Sequence, residues 1–539
     1  MAKKIVISLT LGAVLLGIGV WAGLTWLFGS GAETVLSETD YGKSDDEDSI
    51  EFFQASGGEY HRGFLSSDGS TYLGFPNDDA DGDGLPDHSL VLNHKVYHGP
   101  LAMTPDGVIP CSNYVVTTLA VDQLPEEVRK SIGEIFAEQA PLTIRTTTGI
   151  SRQVTTRISA APFTIAEDEH GRRIEFDGFD SVYHIAGTED HLSLLQGSAT
   201  IGGWRIIFPE GRIEASEGSA EIDYQNEEHL TGHLTLGEVT GTGPNQVSAR
   251  LGTIKLSFDH SRVSESVPIL LGETQLHFSE LSISMADHSA SIKDGVILGA
   301  SGNDDGKIHG RFRYGIGEIR IPPELAGPAA PFLPTFEKGV AIEVGGRGFD
   351  FAALEGAFRD AQRMQEIQFK QMGKSLENGQ FNESDSPELQ EATRDYMEQI
   401  LGLIVPGAEI YEKLEINGRS GESVAKVSMG LQGEKPLREI ATLGELLESI
   451  SAEAAINISK ADLPPEQMAA IAGGLMSMGF LRETASEIVG TVSLTDGLLV
   501  ANGQPSPILE AMELPMDQPI PWDEFLDGAA AGAKDAGKK

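Results

Sequence analysis

The sharpest chemical signal in the chain is an acidic loop, Asn77-Asp78-Asp79-Ala80-Asp81-Gly82-Asp83-Gly84-Leu85-Pro86-Asp87. Asp79, Asp81 and Asp83 occupy the first, third and fifth positions of a calcium loop, Gly84 supplies the tight turn at the sixth, and Asp87 stands at the ninth. Four carboxylates on so short a loop repel one another until a hard, oxygen-seeking cation neutralises them. The twelfth position is Leu90, where an EF-hand places a bidentate Glu. The loop therefore resembles the Asp-rich loops of extracellular calcium-binding repeats, and the expectation is a weak, structural calcium site on Asp79, Asp81, Asp83 and Asp87. The competing reading is a solvated acidic loop. A site of millimolar affinity adds only about 1.4 kcal/mol at tenfold excess of calcium. Titration calorimetry with Asp81→Ala and Asp83→Ala as controls reads that binding, and no heat at millimolar calcium leaves a solvated loop.

Two His-x-x-x-His pairs, His94/His98 and His229/His233, carry the spacing of zinc ligands on a helix. Their surroundings alternate as strands do, and four residues of strand span about 13 Å, too far for one ion. Structural roles are expected for all four. Arg62-Gly63 suggests a carboxylate-binding Arg beside a bulge, or more simply a corner fixing a first hairpin. Cys111 is the single cysteine, so no internal disulfide forms. It could pair with another chain, but a buried, inert thiol beside Pro110 is the expected state. Enzyme signatures are missing: there is no Gly-x-Ser-x-Gly elbow, phosphate loop, His-Glu-x-x-His or Cys-x-x-Cys, and Gly241-x-Gly243 lacks the third glycine of a dinucleotide fingerprint. The expectation is a non-enzymatic protein with no catalytic residue and calcium as its one candidate cofactor. Acidic residues outnumber basic ones 81 to 39, for a net charge of −42. Such a field repels phosphate backbones and anionic headgroups, which argues against nucleic-acid binding.

These groups must be held by the elements around them. Ile5–Gly29 is an uncharged run of 25 residues behind Lys3 and Lys4. As a helix it spans roughly 37 Å, enough to cross a membrane, with Trp21 and Trp26 suited to an interfacial belt. The positive-inside rule puts the N-terminus in the cytoplasm and the bulk of the chain outside. A cleaved signal peptide is the alternative, but the run is longer than the apolar core of such a peptide. Gly19-x-x-x-Gly23 has the spacing that lets two membrane helices approach, a weak pointer to a homodimer.

Residues 30–56 read as an acidic linker. Residues 57–345 alternate apolar and polar, as in Ile254-Lys-Leu256-Ser-Phe258 and Phe312-Arg-Tyr314-Gly-Ile316, with breaks at Asp177-Gly178, Asp294-Gly295 and Asp305-Gly306. This predicts a long series of antiparallel strands, each apolar on one face and polar on the other, as in a sheet covered on one side. Residues 346–406 shift to helical spacing and predict a hairpin of two helices, the second opened by Ser386-Pro387. Residues 407–527 mix strands at 408–416, 424–431 and 454–458 with helices at 436–451 and 464–482, and close on a hairpin turning at Asp496-Gly497. Residues 528–539 read as a disordered tail. The fold class is α+β, predominantly β: long antiparallel sheets, a helical hairpin, a smaller αβ C-terminal part, and one N-terminal transmembrane helix.

Tyr60-His61-Arg62-Gly63-Phe64-Leu65-Ser66-Ser67 is similar to the opening strand of the YdgA-like proteins, a bacterial inner-membrane group classed as a domain of unknown function. The resemblance continues at His98-Gly99-Pro100-Leu101, Ile109-Pro110 and Thr117-Thr118-Leu119, and returns at Ala501-Asn502-Gly503-Gln504. It implies one membrane anchor, a large periplasmic domain and a possible homodimer, and it carries no catalytic residues. The acidic insert between Ser67 and His98 departs from the family pattern. Two functions remain open: a periplasmic, non-enzymatic protein that binds or assembles envelope partners, or a carrier of lipid or another hydrophobic ligand in a β-groove. An open apolar groove favours the carrier; helices lying across the apolar face favour a closed core.

Overall fold

The structure, a computed structural model, describes residues 40–41, 54–62, 66–74, 90–98, 101–124, 126–137, 139–149, 151, 153–165, 171–187, 192–225, 228–264, 266–267, 269–378, 387–418, 421–462, 473–506 and 514–528. The membrane helix expected over residues 5–29, nearly all of the acidic linker, the acidic loop at 77–87 and residues 529–539 lie outside the described residues. Among those described, no helix is long and apolar enough to cross a membrane. The chain divides into two compact units, Met1–Pro244 and Asn245–Lys539.

In the first unit, alternating sequences give the strands β1 (Gln54–Arg62), β2 (Ser66–Gly74) and β3 (Leu90–His98). A separate small hairpin, β4 (Leu101–Thr104) and β5 (Gly107–Pro110), precedes β6 (Asn113–Leu119). Helix α1 (Glu126–Phe136) then leads to β7 (Leu142–Thr148) and β8 (Val154–Ala160). After these come β9 (Phe163–Ile165), β10 (Arg173–Phe176), β11 (Phe179–Gly187), β12 (Leu192–Ile201), β13 (Trp204–Phe208), β14 (Gly211–Ala215), β15 (Gly218–Gln225), β16 (His229–Leu236) and β17 (Val239–Thr242).

The long strands pair antiparallel in the order β1–β2–β3–β6–β7–β8–β11–β12–β15–β16. The short ones form a second row, β9–β10–β13–β14–β17. A corner joins the rows wherever the apolar period slips from two to three, as in Phe176-Asp-Gly-Phe179, Ile201-Gly-Gly-Trp204 and Leu236-Gly-Glu-Val239. A slip of one residue in a regular strand would turn every later apolar side chain to the other face. Here the two intervening residues leave the ladder and bond to the next corner: Asp177 N–H donates to the Gly203 carbonyl at 2.9 Å, and Gly202 N–H to that of Gly178 at 2.7 Å. Gly202 has no room for a side chain, since a Cβ there would lie 2.7 Å from the Gly178 carbonyl oxygen.

Apolar residues on both sides of the corner thus stay on one side of the sheet. Phe163 of the short row and Ile158 and Phe179 of the long row join one core with Leu142, Ile144 and α1 residues Ile132 and Phe136. The Phe136 and Phe163 rings meet edge-on at 5.4 Å. Helix α1 interrupts the strand series unforeseen by the sequence reading, although Val128, Ile132 and Phe136 mark one helical face.

The small hairpin folds its inner residues, Ala102 and Ile109, onto Cys111 and Tyr114. Asp106 at its turn accepts a 2.6 Å hydrogen bond from the Tyr114 hydroxyl and lies 3.5 Å from Arg145. Burial and the bond to Asp106 push the Tyr114 phenol up to about 12. Cys111 is a free, fully buried thiol whose Sγ–H points to the Ile109 carbonyl. Burial raises its pKa. The thiolate is the reactive form, so native protein should leave Ellman's reagent unreacted until denaturant is added. Labelling at the denatured rate in native buffer would refute the buried placement.

The second unit repeats the plan. β18 (Ser248–Leu251), β19 (Ile254–Arg262), β20 (Leu270–Met285), β21 (His288–Asp304), β22 (Lys307–Ile316), β23 (Glu318–Arg320) and β24 (Val340–Asp350) lead to α2 (Phe351–Asn378) and α3 (Pro387–Gly402). Then follow β25 (Glu409–Asn417), β26 (Glu422–Leu431), α4 (Leu443–Ser449), β27 (Ile450–Ser459), β28 (Glu487–Thr495) and β29 (Leu498–Ala501). The main sheet runs β19–β20–β21–β22–β24–β25–β26–β27–β28–β29. β20 and β21 are long enough to cross the corner themselves, and their far ends pair with β18 and β23.

The helical hairpin occurs where the spacing predicts it. The helix expected over 436–451 is divided, however. Leu437–Glu439 makes a single 3-10 turn, α4 starts at Leu443, and Ile450 already belongs to β27. Thr442 sets that start: its side chain accepts from Glu445 N–H at 3.2 Å, while the Glu445 carboxylate accepts from Ala441 N–H at 2.8 Å. Thr442→Ala should cost about 1 kcal/mol in chemical denaturation, and an unchanged midpoint would deny the cap its role.

Candidate functional site

The candidate residues of the first unit meet inside its sheet. Directly paired residues of antiparallel strands share a face, and β2, β3 and β6 bring Ser67, Thr71, His94, His98, Asn113 and Thr117 to the same one. The His94 ring is held at both nitrogens, 2.8 Å from Thr71 Oγ1 and 2.8 Å from Thr117 Oγ1. Burial pulls its pKa from 6.5 down to about 4. His98 Nε2 lies 2.7 Å from Ser67 Oγ, and its Nδ1 lies 3.4 Å from Asn113 Oδ1. Hydroxyl, imidazole and amide oxygen in that order make the sequence of nucleophile, base and orienting group. Ser67 is completely buried, though, so its Oγ offers no surface to a substrate. As it stands the constellation is a hydrogen-bonded network fixing the register of three strands.

The zinc spacing is realised on strands, not helices, with His94 and His98 in β3 and His229 and His233 in β16. His233 lies 3.6 Å from Glu221. Among the described residues no group of three His, Cys, Asp or Glu could hold a metal. Asp79, Asp81, Asp83 and Asp87 fall outside the described residues, as does Gly63 beside Arg62 at the end of β1.

The open apolar face anticipated for a carrier occurs in the second unit. In the second unit β22, β24, β25 and β26 align three rows on one face: Phe312–Val344–Glu412–Val427, Tyr314–Ile342–Leu414–Ala425 and Gly310–Gly346–Ile410–Met429. A closed core would bury these side chains. Instead Phe312, Tyr314, Ile342, Val344, Ile410, Val427 and Met429 are each 40–55 % exposed. The rings of Phe312 and Tyr314 stand 4.5 Å apart, near edge-to-face. The field is roughly 14 Å wide across the strands, given their ordinary spacing. Glu412 is the one charge within it.

Both borders are defined. Toward β27 and β28 the same face is covered, with Leu481 and Met476 packed on Ile456, Ile458 and Ile488. At the strand ends sits the helical hairpin. Phe351 N–H donates to the Gly306 carbonyl at 3.0 Å, Asp350 N–H to that of Leu403 at 3.1 Å, and Arg438 reaches Glu398 at 2.9 Å. The helices close the end of the sheet and leave its apolar middle uncovered. Of the two arrangements expected, an open apolar face or helices lying across it, these four strands have the first. A signal was available in the sequence, since two helices are too few to roof so many strands.

The opposite face of the same strands is charged. Arg313 lies 2.6 Å from Glu415 and 3.4 Å from Glu343, and the Tyr411 hydroxyl donates to Glu343 at 3.0 Å. Bonds from Lys413 and Arg313 hold the Glu415 carboxyl below the usual carboxylate range. Burial and its bond to Glu343 raise the Tyr411 phenol. This face carries paired charges as a solvated sheet surface does, whereas the apolar rows opposite have no cover among the described residues.

No curated protein and no solved structure matches the chain. A family model described as a bacterial protein of unknown function, DUF945, matches residues 1–508. That match takes in both units almost completely, and the protein belongs to the DUF945 family of bacterial proteins.

Proposed function

We propose that the protein is a cell-envelope binding protein that holds an extended apolar chain, such as the acyl chain of a lipid, against the open sheet face of its second unit. The half-exposed rows around Phe312, Val344 and Val427 carry this reading. Seven such side chains in one field are too many to count as incidental surface, and each gains roughly 1 kcal/mol when covered. Apart from Glu412 the rows hold no charge and offer little hydrogen bonding, which suits an acyl chain better than a protein partner with its polar rim. The apolar run at Ile5–Gly29 and the YdgA-like character of the segments around Tyr60 and His98 support an inner-membrane anchor with both units in the periplasm. Lipid is then the apolar material within reach. The proposal gives the protein no enzymatic role.

The test is p-benzoylphenylalanine placed at Val427 in cells, with Glu453, exposed on the opposite face of β27, as control. A lipid adduct in the intact-mass spectrum at position 427 and none at 453 supports the reading. Equal adducts at both positions, or none at either, refutes it.

A second reading, docking of an envelope protein or a second copy of the chain, is favoured by the hairpin β4–β5. Its outer residues Leu101, Met103 and Val108 are 61, 67 and 60 % exposed. The same crosslinker at Met103 should then yield a protein adduct, of twice the chain's mass if the partner is a second copy. Recovery of uncrosslinked monomer alone counts against it.

A further inference from the structure

On the charged face of β22–β26, Arg311, Glu343, Arg347, Tyr411, Lys413 and Lys426 line a pocket of about 770 Å³. Register places Arg311 opposite Gly345, and Gly345 opposite Tyr411. A Cβ at Gly345 would lie 2.5 Å from the Tyr411 ring, so the glycine between Arg311 and Tyr411 leaves that ring its room. One row over, Lys426 lies opposite Lys413.

The charges lining this pocket are mostly accounted for. Arg347 holds Glu409 at 2.9 Å, His309 lies 3.4 Å from Asp304, Lys307 lies 3.7 Å from Asp350, and Lys413 is bound to Glu415. The carboxylate of Glu343 is taken by Arg313 and Tyr411. Arg311 and Lys426 remain, and among the described residues neither has a carboxylate or hydrogen-bond partner. Both line the pocket from opposite sides, Arg311 on β22 and Lys426 on β26. Two unpaired cations converging on one concavity run against the composition of a chain with 81 acidic and 39 basic residues.

We propose that this pocket binds a phosphoryl group, with Arg311 and Lys426 as its principal cations. A guanidinium presents paired donors to two oxygens, and an ammonium approaching from the far side meets a third. A carboxylate, with two oxygens in one plane, would be satisfied by Arg311 alone. The inference goes beyond the apolar-chain reading and does not depend on it, because the two surfaces lie on opposite faces of the sheet.

The phosphoryl group has two possible sources, a soluble phosphoester or a phospholipid headgroup. Full-length protein in a non-ionic detergent is titrated calorimetrically at low ionic strength with inorganic phosphate and, separately, with glycerophosphoglycerol, the deacylated headgroup of phosphatidylglycerol. Binding with tighter affinity for phosphate supports the pocket and points to a soluble ester. Tighter affinity for glycerophosphoglycerol supports it and points to the headgroup. Arg311→Ala and Lys426→Ala should each weaken binding about tenfold. Arg320→Ala, which removes the same charge from the second strand row, should leave it unchanged. No heat from either probe, or equal weakening in Arg320→Ala, overturns the proposal. The two variants sit on exposed side chains, and an unchanged circular dichroism spectrum confirms their fold.

Discussion

Val344→Asp combined with Val427→Asp reduces uptake of a fluorescent fatty acid by the full-length protein about 100-fold while leaving its unfolding midpoint nearly unchanged. Both valines lie in the row Phe312–Val344–Glu412–Val427, at 50 and 55 % exposure. Half-exposed side chains contribute little to the folded state, so the exchange leaves stability almost intact. An apolar chain laid on the row would have to desolvate each new carboxylate, and a penalty of about 1.4 kcal/mol per site multiplies to the stated loss. Glu412→Leu in the same row should act oppositely and tighten uptake, because it removes the one charge the chain must cross. Unchanged uptake in the double variant would sink the apolar-chain reading. A large fall in the unfolding midpoint would instead mean that these valines belong to a closed core.

The second large effect is set by pH. His94 is neutral in the folded protein, its pKa drawn by burial from 6.5 to about 4. At pH 7 the folded state lacks the proton and the unfolded state mostly lacks it, so His94 costs little. Between pH 6.5 and about 4 the unfolded chain binds a proton that the folded one refuses, so stability falls steadily as the pH drops. Below about 4 both states are protonated and the loss stops growing. The gap between the two values corresponds to a loss of about 3 kcal/mol across that window.

Carboxylates elsewhere also titrate at the acid end, which makes the difference between wild type and His94→Gln the informative quantity. The variant forgoes part of the Thr71 and Thr117 bonding and starts about 1 kcal/mol less stable at pH 7. It should overtake the wild type by pH 4. Urea denaturation at pH 7, 5 and 4 reads the crossing. A constant difference across that range would mean that His94 binds its proton equally in the folded and unfolded states, so that burial does not shift it.

Local order in the sequence was enough for the strands, for the helical hairpin opened by Ser386-Pro387, and for the tight turns at Asp305-Gly306 and Asp496-Gly497. Both of these turns place two successive residues at positive φ, 50° and 79° in the first and 51° and 71° in the second. The two-residue period of Ile254-Lys-Leu256-Ser-Phe258 is a property of the extended chain itself and survives in β19. Asp294-Gly295 carries the same turn signal as Asp305-Gly306, and Asp294 indeed has φ at 54°. Yet it lies inside β21, where the sheet turns its corner and the strand continues. A dipeptide reports the backbone conformation it tolerates. Whether that conformation ends a strand or bends it depends on the neighbouring corner that bonds to it.

Burial followed the same division. Alternation in Phe312-Arg-Tyr314 and Ala341-Ile-Glu-Val344 announced which side chains share an apolar face, because facing is fixed by the period. It could not announce that this face stays open, because cover comes from residues far along the chain, here α2 and α3 at the strand ends and Leu481 beside Ile488. Ser67, His98 and Asn113 are remote in sequence, and only the pairing of β2, β3 and β6 brings them within hydrogen-bond reach. Arg311 and Lys426, 115 positions apart, line one pocket for the same reason. Pattern along a chain determines local geometry and the sides of each element, whereas enclosure and convergence are set by which elements the tertiary structure places next to one another.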